Sequence, residues 1–474
     1  MLKVSTIKVI WVMVIFALTA GASEAQTTTL LNDLTFFRDP GKSWRTVGDV
    51  RADLGKPDVL LITQGTGIMV NLPDKKNHGK DLFTRSEFGD MDLELDYLMA
   101  RSSNSGIYLH GRYEIQLEDT WGSKRPASST NGGIYERWDK NRPEGYKGYE
   151  GYAPRQNASR APGLWQHLKI SFQAPRFDRD GNKTEPAKML RVELNGVLIH
   201  ENVVLSGPTR GGIGDEKATG PLRIQGDHGA VAFRNIKVTD FGMVRPSGRE
   251  TVRPNQVYPI LVDPSVGVFR SFMDLPGSHR VVHAVSVRGE EDVHYTYDTD
   301  TGMIIQVWRG GFLDATPMWH SRGDGSSRPV GAVQRFGAPA PAIGSLSSPG
   351  TPWRTDTTGT GFRPKGYKLD SNDKPVFYYR TNGALIADAI GPLANGEGIK
   401  REIAVQNPVK DLYVRLAEGD TIIEIEKEMY MIDNSSYYLR LEDAGGATPV
   451  MREANGKKEL IIAINNKLKY SILF

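Results

Sequence analysis

Cysteine is missing from all 474 residues. That absence removes disulfide frameworks, iron–sulfur clusters, Cys-ligated zinc, c-type haem attachment and lipid anchoring through a cysteine. Charge of one sign is scarce too: 59 Lys and Arg against 56 Asp and Glu leave a formal net charge of +3, without any block of basic residues. A nucleic-acid partner, which needs clustered cations, is therefore not expected. No stretch before residue 245 keeps a helical period for three turns. The apolar run Val9 to Ala20 is shorter than the roughly 20 residues a membrane span needs, so no span is expected. What the chain has in plenty is punctuation. Its 51 Gly and 27 Pro point to many turns and hence to β structure.

Lys3 and Lys8 precede that apolar run, and Ala22-Ser23-Glu24-Ala25 offers small residues for a cut before Gln26. Residues 1–25 therefore read as a secretory signal peptide, and the protein is expected in the periplasm or outside the cell. Residues 26–242 hold many short β-prone runs, among them Met91 to Met99, Gly106 to Leu117, Trp165 to Gln173 and Val231 to Thr239. Short strands at such spacing predict a sandwich or jelly roll. Asn195-Gly196 between apolar runs predicts a two-residue hairpin turn. Residues 243–258, with Pro246, Gly248 and Pro254, read as a linker, and 259–474 as a second β-rich, sandwich-like domain. The fold class expected is thus all-β with two domains.

From Ser105 to Asp119, the apolar Ile107, Leu109, Tyr113, Ile115 and Leu117 alternate with Tyr108, His110, Arg112, Glu114, Gln116 and Glu118. This is the period of a strand with one dry and one wet face. On a concave sheet the wet row presents converging polar groups to a sugar. Asp92, Glu94 and Asp96 alternate in the same way, so three carboxylates share a face. They are either the solvated outside of an antiparallel sheet or, across a ladder from Glu114 and Gln116, a set for acid/base work or a hard metal. Asp227-His228 lies between Gly226 and Gly229. It is either a surface turn or a proton-exchanging pair whose carboxylate fixes the imidazole tautomer. Tyr135, Trp138, Tyr146, Tyr149 and Tyr152 sit in a Gly-rich and Pro-rich stretch. There they can fasten a loop or stack on a sugar face. The spacing of His283, His294, His320, Asp314 and Trp319 fits no metal motif, which favours structural roles.

Six separated motifs then have to be taken together: Asn104-Ser105-Gly106-Ile107, Tyr113-Glu114-Ile115-Gln116, Gly132-Gly133-Ile134-Tyr135, Asn157-Ala158-Ser159 followed by Pro162-Gly163-Leu164-Trp165, Asn195-Gly196-Val197, and Gly220-Pro221-Leu222 through Gly226-Asp227-His228-Gly229 to Phe233-Arg234-Asn235-Ile236. In this order, over about residues 30–240, the chain resembles the DUF1080 family, the 3-keto-disaccharide hydrolase domain with its concanavalin-like jelly roll. The resemblance implies cleavage of glycosides already oxidised at C3, through loss of the C2 proton and elimination of the C1 substituent, with or without rehydration. It implies His228 with Asp227 as the acid/base pair, together with Glu114. Gln116, His110, Arg112, Arg137, Tyr135, Arg155 and Asn157 would contact sugar oxygens. One divalent ion is expected on Glu114 with Asp119 or Glu94 in support, its identity left open, and neither haem nor a nucleotide. The partner expected is a small oligosaccharide or glycoside.

Between Tyr135 and Tyr152 the chain is longer than the family pattern, which leaves pocket shape and substrate choice open. Two other functions also stay open at this stage: a non-catalytic carbohydrate-binding module, and a conventional hydrolase using two carboxylates about 5 to 9.5 Å apart. Residues 259–474 resemble an accessory β module, structural or carbohydrate-binding.

Overall fold

The computed structural model describes residues 26–243, 258–277 and 279–474. The expected signal peptide, and residues 244–257 of the expected linker, lie outside the described residues. In chain order the first part forms β1 (Thr27–Leu30), β2 (Phe37–Arg38), β3 (Trp44–Ala52), β4 (Leu60–Asn71), β5 (Leu82–Phe88), β6 (Met91–Met99), β7 (Asn104–Leu109) and β8 (Tyr113–Glu118). Then come β9 (Arg137–Trp138), β10 (Gly148–Tyr149), β11 (Gln166–Gln173), β12 (Arg176–Phe177), β13 (Lys183–Glu185), β14 (Ala187–Leu194), β15 (Val197–Leu205), β16 (Gly220–Ile224) and β17 (Val231–Asp240).

Two antiparallel sheets stack face to face. The larger runs β15-β14-β11-β6-β17-β4-β3, with β1 added beside β17, and the smaller runs β2-β5-β16-β7-β8. Alternation explains the packing. Leu93, Leu95 and Tyr97 of β6, Phe172 of β11 and Phe233 of β17 share one core with Ile107 and Leu109 of β7, Ile115 and Leu117 of β8, and Leu222 and Ile224 of β16. The outer face of the smaller sheet is thereby left to the intervening polar residues.

Asn195 and Gly196 take φ of 51° and 79°, and Leu194 pairs with Val197, so the predicted hairpin forms between β14 and β15. The run from Ser105 to Asp119, in contrast, is not one strand. His110 and Gly111, at φ 54° and 65°, turn the chain so that Tyr108 pairs with Glu114 and Gly106 with Gln116.

The second part opens with a closed barrel of β18 (Val268–Leu275), β19 (His279–Val287), β20 (Val293–Asp298), β21 (Met303–Asp314) and β22 (Ser326–Arg335). A four-stranded and an eight-stranded sheet follow. The all-β, sandwich-like class expected from the punctuation holds, and the closed barrel is an addition to it. Barrel residues Tyr295 and Val307 share a core with Phe377, Ile403 and Leu439 of the later strands. No helix among the described residues is long and apolar enough to cross a membrane.

Candidate functional site

The register across the smaller sheet aligns Arg223 of β16 with Tyr108 of β7 and Glu114 of β8. In the next row along β7, Gly106 stands opposite Gln116, while the amide of Gln225 donates to the Gly106 carbonyl at 2.9 Å. Gly106 leaves its place in that row empty. A Cβ there would come within 2.2 Å of Glu114 Oε1, so the glycine is what lets the carboxyl lie down on the sheet. The result is a hollow of about 360 Å3, floored by Tyr108, Glu114, Gln116, Arg223 and Gln225. Asn104 closes one end, and Tyr135, Arg210 and Gly211 come over from loops. Asp227 and His228 complete the rim.

Glu114 is 2% exposed. Burial pushes its carboxyl up to about 8, against a smaller lowering by the Tyr108 hydroxyl and by the Arg223 guanidinium. Tyr108 is itself driven far above the usual phenol range, first by burial and then by the Glu114 charge. Oε2 of Glu114 and Oε1 of Gln225 are buried without a hydrogen-bond partner among the described residues. Both residues line the same hollow, and each carries a buried oxygen with its hydrogen-bonding capacity unspent. Arg223 is held in place by Asp81, with Nε 2.6 Å from Oδ2, and its guanidinium lies 4.2 Å from the centre of the Tyr108 ring. Arg210 lies 4.0 Å over the Trp138 ring.

The Asp227–His228 turn is pinned from beneath. Asn71 Nδ2 donates to the carbonyls of Gly226 at 2.7 Å and Gly229 at 3.1 Å, and the Gly226 amide donates to Asp81 Oδ1 at 2.9 Å. His228 Nδ1 lies 2.5 Å from Asp227 Oδ1, with both side chains about half exposed. Its Nε2 is the nitrogen left for proton exchange.

Of the residues singled out by sequence, Glu114, Gln116, Tyr135, Asp227 and His228 meet in this hollow. The others go elsewhere. His110 is fully buried in the turn, its ring 5.0 Å from that of Phe172 and its Nε2 3.0 Å from the Gly89 carbonyl oxygen. Burial pushes this imidazole down to about 4, so it is a neutral core group rather than a sugar contact. Arg112 lines a neighbouring hollow instead. Arg137 bonds Ser206 Oγ at 2.5 Å and pairs with Glu150, and Arg155 pairs with Glu201 at 3.1 Å. Asn157 clasps a loop by donating to the carbonyls of Thr120 and Ser123.

The expected metal set does not assemble. Glu94 lies on β6 of the other sheet, beside His167 and Lys169, while Asp119 accepts from the amides of Ser102 and Trp121. Asp96 accepts from His167 and Asn235, so the carboxylate row of β6 is an ion-paired outer face and not a partner of Glu114. Among the described residues no group of three or more His, Asp or Glu could hold a metal ion. Sequence reasoning assigned no site role to Asn104, Tyr108, Arg210, Arg223 or Gln225. A signal for two of them was present: Arg223, Gln225 and Asp227 alternate with the apolar Leu222 and Ile224, which puts all three on one face.

Residues 27–239 match the family model described as the 3-keto-alpha-glucoside-1,2-lyase-like domain. This is the stretch over which the sequence motifs carry their resemblance. No curated protein matches the chain. Among solved structures, the chain is similar to a protein of Parabacteroides distasonis ATCC 8503 described as a "putative glycosyl hydrolase", at 24% identity over 45% of this chain and 91% of that one, with a TM-score of 0.29. A second structure of that description and organism is 18% identical over 42% of this chain and 98% of its own, with a TM-score of 0.25. The binding domain of botulinum neurotoxin serotype D is 10% identical over 91% of each chain, with a TM-score of 0.24.

Proposed function

We propose, taking the match of residues 27–239 to the 3-keto-alpha-glucoside-1,2-lyase-like domain as premise, that the hollow on the smaller sheet cleaves 3-keto-glycosides by elimination. A ketone at C3 acidifies the hydrogen on C2. His228 Nε2 takes that proton, with Asp227 steadying the resulting imidazolium, and the C2–H electrons form the C2=C3 bond of an enolate. The negative charge settles on the C3 oxygen. Glu114, kept as a neutral acid up to about pH 8 by burial, donates a hydrogen bond to that oxygen, with Tyr108 and the Arg223 cation behind it. The enolate then collapses. C3=O re-forms, the C2=C3 electrons become C1=C2, the C1–O bond breaks, and the departing oxygen takes the proton back from the His228 imidazolium to leave as an alcohol. Addition of water across C1=C2 converts elimination into net hydrolysis. Gln116, Gln225, Asn104 and Tyr135 hold the ring. The ligand set expected for a metal is not gathered at Glu114, so no step runs through one. With residues 1–25 read as a secretory signal, the enzyme meets its substrate in the periplasm or outside the cell.

The observation that supports this reading most is a buried carboxyl raised to about 8, its Oε2 unbonded, in the same hollow as an Asp–His pair. The test compares a 3-keto-glucoside with its unoxidised parent. Turnover of the keto compound alone is expected, and His228→Ala is expected to lower kcat about 10²- to 10⁴-fold with folding intact. Equal turnover of the parent would point to conventional hydrolysis, and near-normal activity of the variant would remove His228 from the chemistry.

A further inference from the structure

The row that carries the hollow does not stop at Arg223. Across all five strands of the smaller sheet the register runs Arg38, Phe83, Arg223, Tyr108, Glu114. The Arg223 guanidinium lies over both neighbouring rings, 5.6 Å from the centre of Phe83 and 4.2 Å from that of Tyr108. Beyond it, over β2, β5 and β16, the same outer face opens into a second hollow of about 420 Å3. Neighbouring strands lie about 4.8 Å apart, so the two hollows are adjoining compartments of one cleft, parted by Arg223 and its partner Asp81. A single loop covers both, since Gly211 borders the first while Ile213 and Lys217 border the second.

The second hollow is cationic once its ion pairs are taken out. Its three acids are engaged: Asp39 with Lys80, Glu87 with Arg38, and Asp81 with Arg223. Two lining cations, Arg112 and Lys217, form no ion pair among the described residues. Arg112 is 5% exposed. Its guanidinium is fixed by backbone carbonyls alone, with Nε 2.6 Å from Asp215 O and Nη1 2.8 Å from His110 O. A nearly buried cation with no carboxylate against it, facing a hollow beside an exposed lysine, is a place for an anion brought by the ligand.

We infer that this second hollow binds the leaving-group side of the substrate, and that it takes a sugar ring bearing an anionic substituent, a carboxylate or a sulfate. The inference rests on the elimination reading for which ring occupies the first hollow, and the anion preference can be measured without turnover. Methyl glucuronide, methyl glucoside 6-sulfate and neutral methyl glucoside are titrated into the full chain by calorimetry at low and high salt. At least one anionic glycoside is expected to bind tenfold or more tighter than the neutral one, with the advantage shrinking as salt rises. Lys217→Glu, on an exposed loop, is expected to remove at least fivefold of that advantage while leaving the neutral glycoside and the circular dichroism unchanged. Arg112→Gln should do the same wherever it folds. Equal binding of all three glycosides, or an anion preference that survives Lys217→Glu, would overturn the inference. A neutral 3-keto-glucoside assayed in parallel tests the elimination itself. Its failure to react would sink that reading and leave the titrations to judge this one.

Discussion

Glu114 joins burial to chemistry in one side chain. An ordinary glutamate titrates near 4.5, and this one is raised to about 8 because burial strips water from it. In the unfolded chain the group ionises from about 4.5, whereas in the folded protein it stays protonated until about 8. Its contribution to stability is therefore fully present below the lower value and lost as pH rises through the upper one. Glu114→Gln is expected to flatten that fall, so that the variant melts above the native protein at pH 9 and near it at pH 4. In the proposed elimination the neutral acid is the working form, so kcat/KM for a 3-keto-glucoside is expected to fall as pH rises through about 8. The amide variant should run about 10- to 100-fold slower, in line with loss of one oxyanion donor, and without that alkaline limb. An unchanged alkaline limb in the variant would assign it to another group. The importance of Glu114 was legible in its alternation with Tyr113 and Ile115, but its protonation was not, because burial depends on the Gly106 row that only the paired register creates. His110 and Arg112 shared the same alternation and were misplaced for the same reason. Two successive positive φ values end the strand at Leu109, which sends His110 into the core and moves Arg112 out of the Glu114 row to the neighbouring hollow.

At the scale of elements, the site is a strand ladder met by a turn, and the turn depends on one asparagine. Asn71, at the end of β4 in the larger sheet, is fully buried and spans the edge of the sandwich to hold the Gly226 and Gly229 carbonyls. Asn71→Ala leaves both carbonyls without that donor. A cost of about 1–3 kcal/mol is expected for a buried acceptor left unsatisfied, and kcat should fall at least tenfold because Asp227 and His228 ride on the released turn. A melting curve and a rate on the same preparation check this, and a lowered melting point with unchanged kcat would mean that the turn is positioned by other contacts. The turn itself was legible from Gly226-Asp227-His228-Gly229, as was the hairpin from Asn195-Gly196, because glycine and asparagine announce local backbone geometry. What joins the turn to Glu114 was not, since it comes from pairings between strands more than a hundred residues apart, such as Arg223 with Tyr108. Period two gives the face of each strand but not its neighbour. For the same reason the acids of β6, correctly seen as one row, could not be assigned to a sheet until their partners on β11 and β17 were known.

At the scale of the whole molecule, the second part braces the loops that shape the hollow. Ala161 and Leu164, both fully buried, share an apolar cluster with Met429, Met431, Tyr438 and Leu473. Around it the Tyr438 hydroxyl donates to the Pro162 carbonyl at 2.9 Å, the Trp121 indole to the Phe474 carbonyl at 3.0 Å, and the Gly311 amide to Gln156 Oε1 at 2.7 Å. Gly163, at φ 76°, lets the two parts approach, since a Cβ there would come within 2.4 Å of the Tyr438 hydroxyl. The Pro162-Gly163-Leu164-Trp165 motif thus has a second use in this chain as the seat of the later strands. Both clamped ends, Trp121 and Leu164, bracket the segment that delivers Tyr135 to the hollow. Docking and catalysis should therefore be coupled. Leu164→Asp buries a charge where only apolar groups wait, which is expected to undock the two parts without touching a residue of the hollow. Calorimetry should then resolve two unfolding transitions in place of one, and kcat/KM for a 3-keto-glucoside should fall at least tenfold as Tyr135 loses its support. Two transitions with full activity would show that the sandwich holds its loops unaided. A single transition shifted downward would instead mean that the interface is too extensive for one charge to open, because the barrel's Ala332 also packs into the sandwich core.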